Sequence, residues 1–183
     1  MTSDSIRRRR FEAIVAEVQE PLERYLRRRV HADDADDLLG DVLLTVWRRL
    51  DDVPDDSRLP WCYGVARRSL LNHRRGRRRH LRLVERIGSQ PGPTHHLDPA
   101  GEAEHPELAT ALASLPAADL EVITLWAWEG LEPREMAVVL GTSANAVSLR
   151  LSRAKKKLAS LLERQDRAGA GHRGDGHTGG NGP

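Results

Sequence analysis

Apolar residues recur along this chain at spacings of three and four, segment after segment. Nowhere do four to eight β-branched or aromatic residues alternate with polar ones. That pattern confines the chain to packed helices. The first segment holds Phe11, Ile14, Val15, Val18, Leu22, Tyr25 and Leu26, with Pro21 inside it as a point where a helix is expected to kink or split. The second runs from an acidic start at 33–37 through Leu38, Leu39, Val42, Val46 and Leu50. Acids at its N-terminus and Arg48-Arg49 near its end both suit the helix dipole. A third begins near Pro60-Trp61, where Pro fits a first turn, and continues through Val65 and Leu70 into an Arg-rich end.

Periodicity stops at Gly88. The stretch 88–106 carries Pro91, Pro93, Pro99 and Pro106 and little that is apolar, so it reads as a flexible linker. Apolar spacing resumes at Leu108, Leu112 and Leu115 and breaks at Pro116. It restarts at Leu120, Ile123 and Trp126 and stops at Gly130. A final pair, 133–140 and 143–162, flanks Gly141. From 165 onward there is no large apolar side chain, and the segment 165–183 is expected to be disordered. The predicted architecture is all-α: a helical domain at 7–87, the linker at 88–106, and a second helical domain at 107–164.

The net charge of +2 conceals segregation. Residues 1–90 hold 20 basic against 15 acidic side chains, whereas 91–105 hold three acids and no Lys or Arg. Arg67, Arg68, Arg74, Arg75, Arg77, Arg78 and Arg79 outnumber the acids near them in sequence, which points to a polyanion as partner. Trp61 and Tyr63 at the head of that helix suit either core packing or a grip on an unstacked strand.

Several classes are disfavoured. No Ser-His-Asp order, Gly-rich phosphate loop or zinc spacing occurs, so neither catalysis nor a cofactor or metal is expected. The single Cys62 reads as a small buried apolar residue. Asp36, Asp37 and Asp41 lack a further ligand on their face and read as a solvated or protein-docking surface. The N-terminal arginines at 7–10 precede an amphipathic pattern instead of a signal core, and no apolar run approaches the ~20 residues of a membrane span. A cytoplasmic protein without membrane insertion is the expectation.

The sharpest local signal is 131–158. A short helix turns Met136, Ala137 and Leu140 inward, Gly141 supplies a tight turn, and Ser143 caps the next helix, in the order of a helix-turn-helix. On the second helix Val147, Leu151, Ala154, Leu158 and Leu161 form one stripe. At about 100° per residue, Asn145, Leu149, Ser152, Arg153 and Lys156 lie opposite, with Arg150 and Lys157 at the shoulders. Asn, Ser, Arg and Lys suit base edges and phosphates in a major groove. Leu149 fits either a stray surface leucine or a contact with a thymine methyl. The consecutive Lys155, Lys156 and Lys157 read as phosphate contacts. A stand-alone helix-turn-helix regulator, with 7–87 sensing a signal or dimerising, is the alternative these features leave open.

Three blocks together resemble bacterial sigma factors of the extracytoplasmic-function (ECF) type. Residues 34–49 (DADDLLGDVLLTVWRR) look like that family's core-polymerase-binding helix. Residues 60–68 (PWCYGVARR) look like its promoter-melting helix, and 131–158 like its minus-35-reading helix-turn-helix. The resemblance implies an initiation subunit that binds core RNA polymerase through the β′ coiled coil and the β flap. It also implies promoter DNA and an anti-sigma factor as partners. Asp37, Leu38, Asp41, Val42, Thr45 and Arg48 are the implied polymerase contacts, with Gly40 standing where the family usually has Gln.

Loop residues Asp55, Asp56, Ser57 and Arg58 are implied to capture a flipped minus-10 base. Trp61, Arg67, Arg68, Asn72, Arg74 and Arg75 are implied around the opening duplex. Ser143, Asn145, Ser148, Leu149, Arg150, Ser152, Arg153 and Lys156 are the expected minus-35 set, with Arg150 nearer phosphate than base. Asn145-Ala146 replaces the Gly-Thr of many members, which implies a shifted promoter preference.

Overall fold

A computed structural model of the chain describes residues 3–85 and 105–171. Most of the expected linker and the end of the expected tail lie outside the described residues. The described residues form seven α-helices and no strand: α1 Ser3–Arg27, α2 Ala32–Arg48, α3 Arg58–Glu85, α4 Pro106–Ala113, α5 Ala117–Ala127, α6 Pro133–Leu140 and α7 Ala144–Gly171. The all-α class expected from periodicity is the one observed.

Helix α1 is unbroken, with Pro21 inside it, so the expected split does not occur. Pro21 removes one backbone donor. Burial on both sides outweighs that loss, because Ile14, Val18, Leu22 and Leu26 are fully buried at a spacing of four. Helix α2 stops at Arg48, and a 3₁₀ turn, Leu50–Asp52, tucks Leu50 into the core. Helix α3 starts at Arg58, two residues before Pro60, and Trp61 N–H donates to Ser57 O at 3.0 Å. Pro60 therefore occupies the first turn, where a missing N–H is harmless.

The helix-turn-helix is built by local signals. The Glu132 N–H donates to the Glu135 carboxylate at 2.8 Å at the head of α6. Gly141 closes α6 at φ +64, a left-handed conformation that favours glycine. Ser143 Oγ accepts from Ala146 N–H at 3.2 Å and caps α7. Helix α7 then runs to Gly171, well past the start of the tail expected to be disordered. Once nucleated by packing, a helix propagates through Ala-containing sequence at little cost per residue.

Helices α1, α2 and α3 pack on one another, α7 packs on α4, α5 and α6, and α3 packs on α6. The core is continuous across both groups, from Ile14 and Val42 to Met136 and Val147. At Gly64 the α3 backbone faces the backbone of α6, close enough that a Cβ would make ordinary van der Waals contact. A Cβ there would lie 3.6 Å from the Val139 carbonyl oxygen and 3.7 Å from its Cα. Cys62 is fully buried, as expected, and desolvation pushes its thiol up to about 12.

Candidate nucleic-acid interface

Helix α7 divides cleanly. Val147, Leu151 and Ala154 are buried, and Ser143, Asn145, Ser148, Leu149, Arg150, Ser152, Arg153 and Lys156 are all exposed. Leu149 retains 50 % of its surface in water, on the polar side of the helix. The Ser148 hydroxyl donates back to Ala144 O at 2.9 Å, but its oxygen can still accept. The lysine run corrects one expectation. Lys155 turns aside, its ammonium 3.2 Å from the ring centroid of Trp126 on α5, which leaves Lys156 and Lys157 to face outward.

Helix α3 carries arginines on two faces. Arg68, Asn72 and Arg75 recur at four and three and are exposed, forming a polar stripe in solvent. Arg67 and Arg74, seven apart, face α5 instead. Arg67 forks onto Glu121, Nε to one carboxylate oxygen at 2.7 Å and NH2 to the other at 3.0 Å. Arg77 reaches Asp34 on α2 at 3.1 Å. The expectation that these arginines lack internal partners is thus corrected for Arg67 and Arg77, whose acids are distant in sequence. Burial, and next the charge of Arg29, pull the Arg74 pKa below the usual guanidinium value.

The aromatic pair also separates. Trp61 sits half-buried at the core edge with the Arg49 guanidinium 5.4 Å from its ring centroid. Tyr63 is buried against Tyr25, ring centroids 5.0 Å apart, and desolvation raises its phenol pKa. Tyr63 therefore has no free face on which a base could stack.

The loop before α3 is pinned from α1. Arg10 donates to the Val53 carbonyl at 3.0 Å and lies 3.6 Å from Asp55. Arg7 bonds both Asp51, at 3.1 Å, and the Trp47 carbonyl, at 2.9 Å. Asp55 pairs with Arg58 at 2.9 Å, and Arg58 reaches Glu17 at 3.3 Å. The Arg58 hydrogen bond, helped by the charge of Arg10, holds the Asp55 carboxyl below the usual range. Asp55 and Arg58 thus shape the loop, while Asp56 stays exposed and, among the described residues, accepts only from Ser57, at 3.1 Å. Arg7 and Arg10 were missed by the sequence reading, because no local pattern announces partners 40 or more residues away.

Helix α2 corrects the polymerase-contact set. Leu38 and Val42 are buried, Val42 completely, and form the inner stripe with Ala35 and Val46. Neither side chain can touch a partner without unpacking the core. Asp37, Asp41 and Arg48 are exposed, and Leu44, absent from the expected set, has 44 % of its surface in water beside them. Thr45 is half-buried, its hydroxyl bonded to Asp41 O at 2.9 Å. Gly40 is exposed, and a Cβ there meets nothing within 4 Å. Gly40→Ala is therefore expected to stabilise the protein by about 0.5–1 kcal/mol, read as a higher urea midpoint at unchanged slope.

Family comparisons match these two halves separately. Residues 14–80 match the Sigma-70 region 2 model, and residues 105–158 match Sigma-70 region 4. The RNA polymerase sigma factor NccH of Alcaligenes xylosoxydans is 32% identical over 143 residues, spanning 73% of this chain and 76% of NccH. The ECF RNA polymerase sigma factor EcfG of Rhodopseudomonas palustris is 31% identical over 138 residues, spanning 72% of this chain and 73% of EcfG. The chain belongs to the ECF sigma factors.

As an ECF sigma factor it directs RNA polymerase in transcription, and its fold agrees with solved members. The structure of CnrH in complex with the cytosolic domain of CnrY aligns with a TM-score of 0.58 at 26% identity, covering 84% of this chain and 88% of CnrH. RpoE from Bartonella quintana, in complex with the anti-sigma factor NepR, shares the fold with a TM-score of 0.61 at 23% identity, over 84% of this chain and 96% of that one. Among the described residues of this sigma factor no helix is long and apolar enough to cross a membrane, and no group of three His, Cys, Asp or Glu could hold a metal.

Proposed function

We propose that this ECF sigma factor reads a minus-35 element with the exposed face of α7 and opens a minus-10 element with α3 and the loop before it. The first half, ending near residue 87, docks on core polymerase, and the second, from about residue 107, carries the helix-turn-helix. The observation that carries this reading is the α7 surface. Leu149, Arg153 and Lys156 project into solvent opposite a buried stripe, which is what a helix laid in a major groove requires. On α3, Arg68, Asn72 and Arg75 hold backbone phosphates, and Arg67 and Arg74 join them once freed from α5. In the loop Asp56 and Ser57 offer acceptors and a donor to a flipped base, on a frame set by Asp55 and Arg58.

On α2 the docking surface is Asp37, Asp41, Leu44 and Arg48. The protein acts as a dissociable initiation subunit and leaves the chemistry of RNA synthesis to the polymerase. An anti-sigma factor is its natural antagonist, by analogy with the NepR complex of RpoE. The deciding experiment is run-off transcription by purified chain plus core polymerase on a matched promoter. Initiation that depends on the chain supports the reading, and failure to bind core removes it. Asp41→Ala is the separating variant: weaker core binding is expected, with minus-35 duplex contacts unaffected.

A further inference from the structure

The segment 49–57 turns the chain from α2 into α3. Leu50 and Val53 anchor its underside in the core. Its outer side carries Asp51, Asp55 and Asp56, all exposed, and carboxylates so close in sequence repel one another. The opposing charge comes from α1. Arg10 turns both terminal nitrogens to the loop: NH2 donates to the Val53 carbonyl at 3.0 Å and lies 3.6 Å from Asp55, and NH1 lies 4.0 Å from Asp51. Arg7, one turn earlier, holds Asp51 and the carbonyl of Trp47 in the last turn of α2. Its guanidinium also sits 5.2 Å from the Trp47 ring centroid, and Phe11 meets the same ring edge-on. On the far side Asp55 passes to Arg58, and Arg58 to Glu17, which lies two turns beyond Arg10 on the same flank of α1. The ion pairs therefore form a circuit that leaves α1 at Arg10, crosses the loop and returns to α1 at Glu17.

We propose that Arg10, with Arg7 beside it, is a positioning residue for promoter recognition: from α1 it sets the place of the loop, and so how strictly Asp56 and Ser57 discriminate the flipped minus-10 base. The proposal rests on the assignment of that loop to the flipped base made above. It adds that the choice of base depends on side chains of a different helix, bonded to the loop and not to the base.

Stability is a poor reason for such a circuit. Ion pairs with exposed members are worth little singly, and Asp51 and Asp55 keep most of their surface in water. Position is the better reason. A base edge is read by hydrogen bonds, and a reading group displaced by about half an ångström to one ångström loses its selectivity. Asp56 and Ser57 cannot fix themselves, because among the described residues their side chains bond only to each other, at 3.1 Å. With Arg10 removed, the repulsion between Asp51 and Asp55 is no longer offset, and the Val53 carbonyl loses its donor. The loop then samples several positions. The correct base loses part of its hydrogen bonding and incorrect bases gain some, so specificity falls further than overall binding does.

The test is run-off transcription by the full chain with core polymerase, on promoters carrying each of the four bases at each minus-10 position. Arg10→Ala should reduce the preference at one minus-10 position by roughly ten-fold, with minus-35 preference and core affinity unchanged. Arg8→Ala removes a cation from the same helix, where Arg8 bonds Glu12 at 2.9 Å, and should change no preference. Arg10→Lys should not restore the preference, because an ammonium presents no fork to span a carbonyl and two carboxylates. A direct phosphate contact by Arg10 predicts the opposite: a uniform loss at all bases, restored by Lys. That result would overturn the proposal, as would an equal effect of Arg8→Ala.

Asp51→Asn cuts the same circuit from the loop side and leaves α1 intact, so it decides the matter if Arg10→Ala fails to fold. The same minus-10 position should lose preference, and an unchanged preference would overturn the proposal. Asp56→Ala tests the underlying loop reading. If it alters base preference while Arg10→Ala and Asp51→Asn do not, the positioning role falls and the loop reading stands. If Asp56→Ala has no effect, both fall together.

Discussion

Alanine at Arg153 is expected to cut initiation at minus-35-dependent promoters by roughly ten- to a hundred-fold, the 1–3 kcal/mol that a bidentate base contact is worth. The side chain is exposed on the face opposite Val147, Leu151 and Ala154, and no described residue pairs with it. Truncation removes nothing the fold relies on, so the melting curve should stay within about 0.5 kcal/mol of wild type. Run-off transcription over a panel of promoter variants separates two kinds of contact. Base reading by Arg153 predicts that the loss vanishes at one altered minus-35 position. Lys156→Ala should instead weaken every promoter alike and lower the salt slope of duplex binding by about one. A uniform loss for Arg153→Ala would move that residue to the phosphate set.

The helix-turn-helix was legible because its determinants are local. Pro133, Gly141 and Ser143 each act within a few residues, and the 100° step that put Leu149 outward depends only on the helix being regular. The ion pairs that join α3 and the turn after α1 to α5 and the turn after it were not legible. Arg67 and Glu121 are 54 residues apart, and Arg29 and Glu129 are 100 apart. Counting acids near the arginines in sequence could not reveal acids brought in by another helix. The Arg7 and Arg10 clamps on the loop were hidden for the same reason. On α2 two lines of reasoning conflicted. Periodicity placed Leu38 and Val42 inward, resemblance placed them at a partner surface, and burial decides for periodicity.

That conflict yields the second large effect. Leu38→Ala should cost about 2–5 kcal/mol, because it opens a cavity beneath α2 where the side chain is only 5% exposed. For a protein whose total stability is of order 5–15 kcal/mol, that is a melting point lowered by roughly 6–15 °C. Well below the melting point its affinity for core polymerase should remain close to wild type, since the leucine reaches no partner. Leu44→Ala should behave in the opposite way. Its side chain is 44% exposed beside Asp41 and Arg48, so stability should change by less than about 0.5 kcal/mol. Core affinity should fall by about ten-fold, the effect of deleting an apolar anchor at the centre of a polar rim. Thermal melts paired with polymerase titrations of both variants check the contrast. If Leu38→Ala lost polymerase at full stability while Leu44→Ala kept it, α2 would have to dock through its inner stripe, and the core would have to open for it to do so.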